Sequence, residues 1–100
     1  NNLGRVREEQ GKPLAGAKLH RQAVDIRKKI LGDHMETAFS WGNLGSALAE
    51  AGKLPEAIEA LKESVACYER IGKADTIDAK TSRQNLIRCQ EAADRESMPA

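Results

Sequence analysis

Aromatic residues are scarce in this sequence: Phe39, Trp41 and Tyr68 are the only three in 100 residues. The apolar interior must therefore come from Ala, Leu, Ile and Val, small and aliphatic side chains that suit closely packed helices. Cysteine is scarcer still. Cys67 and Cys89 are too few for the disulfide framework of a small secreted domain, and a reducing compartment is the expectation. No run approaches the roughly 18 consecutive apolar residues of a membrane span, and none reads as a signal peptide. A soluble, cytoplasmic chain is the resulting expectation. An excess of one charge is also missing: 16 Lys and Arg stand against 15 Asp and Glu, for a net charge of +1. That balance excludes a general attraction to nucleic acid or to an anionic membrane. Strand alternation of period two is absent, as is any linker rich in Gly, Pro or Ser.

What the chain does have is self-similarity. A shift of 41 residues carries Asn2-Leu3-Gly4 onto Asn43-Leu44-Gly45, Gly11-Lys12 onto Gly52-Lys53, Val24 onto Val65 and Ile30 onto Ile71. A shift of 42 carries Asn43-Leu44 onto Asn85-Leu86. One helical hairpin is thus written nearly two and a half times. From Pro55 to Ile71 the apolar residues Ala57, Ile58, Leu61, Val65, Tyr68 and Ile71 recur at three and four, with charged residues between them. On this phase Cys67 faces away from the core stripe. Pro55 suits a first helical turn, and Gly52 and Gly72 suit helix ends. Gly45 lies inside a helix, where it costs about 1 kcal/mol relative to Ala, so a neighbouring helix is expected to approach it closely. Helices are expected over about 1–10, 14–31, 36–51, 55–71 and 76–94. The repeat domain is read as 1–94, divided into a partial first unit (1–34), a second (35–73) and a terminal or capping helix (74–94), with 95–100 a frayed tail.

The second unit, WGNLGSALAEAGKLPEAIEALKESV, resembles the tetratricopeptide repeat (TPR), with Trp41, Leu44, Gly45, Leu48, Gly52, Ala57, Leu61 and Ser64 at the motif's spacings. The first unit, with Ala23 to Gly32 closing its second helix and Asp33 and His34 following, is similar to the longer subtype found in kinesin light chains. The resemblance implies an all-α fold in which antiparallel helical hairpins stack as a right-handed superhelix. The third front helix departs from the motif, placing Arg83 at the register of Trp41 and Gln90 at that of Leu48, which fits a cap with a polar outer face.

In the resembled family the front helices line a concave groove that receives peptides or helices. By register, that groove holds Asn2, Arg5, Glu8 and Glu9 in the first unit and Phe39, Gly42, Asn43, Ser46, Ala49 and Glu50 in the second. The third supplies Lys80, Gln84, Asn85, Arg88 and Glu91. Asn2, Asn43 and Asn85 form a ladder of amides, each able to donate to and accept from an extended ligand backbone, or instead to bond neighbouring helices. Phe39 offers an apolar anchor, and Arg5 and Arg88 offer paired N–H donors. Trp41 is read as structural, filling the space between the first unit's second helix and its own hairpin. Enzymatic readings find no support in a His-Glu-x-x-His, CxxC or phosphate-loop motif, so no catalytic residue, metal or cofactor is expected. The function expected is a scaffold that binds a protein or peptide ligand, with no nucleic-acid or membrane partner. The alternatives are self-association through exposed repeat ends, in which Leu3, Val6 and Ala17 are left partly bare, or a non-catalytic regulatory segment of a larger protein.

Overall fold

Four helices make up residues 13–97, the part of the chain that the computed structural model describes: α1 (Pro13–Leu31), α2 (Met35–Glu50), α3 (Leu54–Arg70) and α4 (Ile77–Ser97). No strand occurs among the described residues. The helix expected over 1–10 and the turn at Gly11 and Lys12 lie outside them. Three-residue connectors join α1 to α2 and α2 to α3, which forces antiparallel neighbours. α2 packs against both α1 and α3, and α4 packs against α3 with a lighter contact to α2.

Local chemistry sets the helix ends. His34 is extended at the start of α2 (φ −154°, ψ 156°), and its Nδ1 accepts from the Glu36 N–H at 3.1 Å, doing the work of an N-cap. The same arrangement closes α2 and α3. Beyond α2 the Lys53 N–H reaches the Leu48 carbonyl at 2.9 Å and the Gly52 N–H reaches Ala49 at 3.0 Å. Beyond α3 the Lys73 N–H reaches Tyr68 at 2.8 Å and the Gly72 N–H reaches Glu69 at 3.1 Å. Both are Schellman stops, and they need the positive φ that Gly52 (78°) and Gly72 (72°) supply without a Cβ penalty. Pro55 sits in the first turn of α3, and Thr76 Oγ1 accepts from the Ala79 N–H at 3.3 Å to start α4.

The core is small-residue and aliphatic, as the composition requires. Ala17, Val24, Leu44, Ala47, Leu48, Ala57, Ala60, Leu61 and Cys89 are buried together, with Trp41 and Leu86 packed against them. A second cluster joins Ala38 of α2, Cys67 and Tyr68 of α3, and Ala79 of α4. Gly45 has the packing reason expected of it: a Cβ there would stand 2.5 Å from Leu61 Cγ and 3.3 Å from the Ala57 carbonyl. Helices α2 and α3 close on each other at this point.

Three expectations need correction. Cys67 does not face away from the core but is 1% exposed, because α3 is buried on two sides, against α2 and against α4. Burial pushes its thiol upward in pKa and keeps it protonated. Ala17 is not bare but 5% exposed, while Leu3 and Val6 lie outside the described residues. The last helix continues through Ser97, past the tail boundary at 95. Glu91 to Glu96 consists almost wholly of strong helix formers, and an exposed helix end needs propensity rather than an apolar period.

Candidate functional site

Helices α2 and α4 run side by side as the two described front helices, and a cleft of about 240 Å³ lies between them. From α2 it is lined by Phe39, Gly42, Asn43 and Ser46, and from α4 by Asp78, Thr81, Ser82 and Asn85. The side chain missing at Gly42 matters here. A Cβ at that position would approach Ser82 Oγ to 2.9 Å and Ser64 Oγ to 3.4 Å, so glycine lets three helices meet behind the cleft. Ser64 donates to the Ala38 carbonyl at 2.8 Å, and its Oγ also lies 2.8 Å from Ser82 Oγ. With the Ser64 hydrogen committed to Ala38, Ser82 is the donor in the second bond.

The three amides expected to form a ladder have different situations. Asn2 lies outside the described residues, as do Arg5 and Glu9. Asn85 donates from Nδ2 to Ser46 Oγ at 3.4 Å, so its N–H is turned to holding α4 on α2 while its carbonyl oxygen keeps its acceptor capacity. Asn43 is half-buried, and its amide makes no hydrogen bond to another described residue. Phe39 is 43% exposed at the cleft edge. Of the expected groove residues, the structure therefore brings Phe39, Gly42, Asn43, Ser46 and Asn85 together. Glu50, Gln84 and Arg88 are exposed and do not line this cleft.

Asp78, Thr81 and Ser82 were missed by the sequence reading. A signal existed for Thr81, since the 42-residue shift carries Phe39 onto it. Asp78 is the one formally charged residue in the lining. The Tyr68 phenol is pushed up to about 12, first by burial, then by the charge of Asp78 and by Cys67.

The loop residues Asp33 and His34 are structural. Arg70 grips Asp33 with both Nε (2.9 Å) and Nη2 (3.0 Å), and Nη2 also holds Glu63 at 2.9 Å. This hydrogen bonding holds the Asp33 carboxyl below its usual range. Arg27 pairs with Glu36 across the same loop at 3.1 Å. No group of three or more His, Cys, Asp or Glu is placed to hold a metal ion among the described residues. None of the described helices is long and apolar enough to cross a membrane. The cleft offers hydroxyls, amides, one carboxylate and one aromatic edge, a set suited to binding.

Comparison with known proteins identifies the class. The family model for the tetratricopeptide repeat matches residues 1–70, and the chain belongs to that family. Among solved structures, a Podosopora anserina protein assigned as a kinesin light chain with nearly identical TPR-like repeats superposes with a TM-score of 0.84 at 25% identity, covering 94% of this chain and 45% of that one. A single-substitution variant of the same protein gives the same values. The present chain thus spans less than half the length of these structural relatives. No curated protein matches it. Repeats of this family mediate protein–protein interaction and are typically non-catalytic.

Proposed function

We propose that this chain binds an extended peptide segment of a partner protein in the cleft between α2 and α4, as a scaffold without catalytic activity. The observation that carries the reading is Asn43. Its amide sits half-buried at the cleft without a hydrogen-bond partner among the described residues, next to the exposed edge of Phe39. A peptide backbone satisfies both ends of such an amide whatever its side chains are. Phe39 then supplies apolar contact, and the free acceptor of Asn85 extends the hydrogen bonding along α4.

Asn43→Ala is expected to weaken binding of a peptide selected from an immobilised library by about 1 to 3 kcal/mol, with the melting temperature nearly unchanged. Calorimetric titration and a thermal melt of the same sample check this. Unchanged affinity with a lowered melting temperature assigns Asn43 to the fold and removes the groove reading.

One further observation favours a second reading, self-association through an apolar patch on α1. Ile26 and Ile30 of α1 are 58% and 74% exposed, whereas their counterparts after a 41-residue shift, Cys67 and Ile71, are buried and half-buried. Sedimentation over a range of concentrations distinguishes this reading, since a strict monomer excludes it.

A further inference from the structure

The opposite side of the molecule has a second cleft, which the peptide-binding reading does not use. It lies between α1 and α3, which both pack on α2 but make no close contact with each other. Trp41 of α2 forms its floor. One wall carries Arg21 and Lys28 from α1, and the other carries Glu56, Glu59 and Glu63 from α3. The end residues of each row are seven positions apart, two helical turns or about 10 Å, so the two rows of opposite charge run side by side over the same length.

We propose that this cleft is a docking surface for a helical segment of a partner protein that bears an acidic row and a basic row next to each other. The walls are separate. Among the described residues no ion pair crosses the cleft, and Glu63 is engaged instead by Arg70 at 2.9 Å. Arg21 and Lys28 lie over the floor instead, with Arg21 Cζ 5.9 Å and Lys28 Nζ 6.0 Å from the centroid of the Trp41 ring. Those distances lie at the outer limit of a cation–π contact. They leave both cations free to take carboxylates from an incoming chain, while among the described residues Glu56 and Glu59 have no cation of their own.

Charge complementarity then selects the occupant. A purely acidic segment gains Arg21 and Lys28 but is repelled by Glu56 and Glu59, and a purely basic segment meets the reverse. A segment with both signs in adjoining rows satisfies all four and suffers neither repulsion. Size agrees, since a cleft of about 350 Å³ admits several side chains but not a helix about 10 Å across. The partner helix therefore lies along the mouth and sends its side chains down toward Trp41.

Trp41 is the only tryptophan in the chain, so its fluorescence reports on this cleft directly. The probe is a designed 18-residue helical peptide with adjoining Glu and Lys rows, compared with an all-Glu version, an all-Lys version and one of scrambled order. The mixed-row peptide is expected to shift Trp41 emission and to bind at least tenfold more tightly than the other three, with affinity falling as salt rises. Arg21→Glu with Lys28→Glu is expected to lose at least tenfold for that peptide and to gain affinity for the all-Lys version. Glu56→Gln with Glu59→Gln, both at exposed positions, tests the other wall should the first pair disturb folding, and is expected to lose affinity for the mixed-row peptide. Asn43→Ala is expected to leave the titration unchanged, which separates this surface from the front cleft. Absence of binding, equal binding of the four peptides, or loss of the response in Asn43→Ala overturns the proposal.

Discussion

Helices α2 and α4 occupy the same register, related by a shift of 42 residues, yet they are built differently. Where α2 has Trp41, Gly42, Leu44, Gly45 and Leu48, α4 has Arg83, Gln84, Leu86, Ile87 and Gln90. The environments explain the difference. α2 is closed on by α1 and α3, and Gly45 is small because Leu61 occupies the space its side chain would need. α4 packs chiefly on α3, and Ile87, at the register of Gly45, is 53% exposed. Arg83, at the register of Trp41, donates from Nη1 to the Ala74 carbonyl at 2.9 Å, so a position that packs against the core in α2 ties down a loop in α4. The glycines of the repeat therefore mark the faces on which another helix closes, and a helix that lacks them has no such neighbour among the described residues.

The sharpest break of this comparison comes from equivalent leucines. Leu44→Ala, at a position 1% exposed, is expected to cost about 2 to 5 kcal/mol through the cavity it leaves. Leu86→Ala, half-buried, is expected to cost less than about half as much, and urea denaturation measures both. Next comes pH, because Tyr68 is buried with Ala38 of α2 and Ala79 of α4 and so bridges the two front helices. Its phenol is raised from 10.0 to about 12 in the folded chain, so the unfolded chain loses this proton first as the pH rises. The stabilisation is complete below pH 10 and is lost as pH climbs toward 12, a decline of roughly 2 to 3 kcal/mol. Denaturation midpoints of the parent and of Tyr68→Phe across this range isolate the effect, the variant lacking this part of the slope. The smallest effect expected is overpacking: Gly45→Leu at about 1 to 3 kcal/mol, against Ile87→Leu within about 0.5 kcal/mol of the parent. Equal losses at the two positions, measured in the same urea series, contradict the reading of the glycines.

The internal repeat made the helices and turns legible, and Gly45 announced a close approach before any contact was known. Cys67 was illegible because a single apolar stripe from Ala57 to Ile71 assumes one partner, whereas α3 has two. Residues between the expected stripe positions, Ala60, Ser64 and Cys67, are buried, while Val65 and Ile71 are only half-buried. The end of α4 was missed because solvent-facing turns carry no apolar period. Of the residues that line the α2–α4 cleft, the shared register had Phe39, Gly42, Asn43, Ser46 and Asn85 among its groove candidates. It missed Asp78 and Ser82 because it assumed that each front helix shows the groove the same phase. Two parallel helices flanking one cleft present different phases to it, so the positions of α2 that face α4 are not those of α4 that face α2.

The Ser82 to Ser64 to Ala38 chain of hydrogen bonds has a consequence for how the molecule opens. Stacked repeats are coupled mainly to their nearest neighbours. Here one hydroxyl on α3 holds the backbone of the helix before it and receives a bond from the helix after it. When α4 peels away, Ser64 loses a partner at the moment its neighbours become wet, and the α2 end of the chain feels the loss. In amide hydrogen exchange the amides around Ala38, Ser64 and Ser82 are therefore expected to gain and lose protection together, as one cooperative unit that crosses the boundary between repeats.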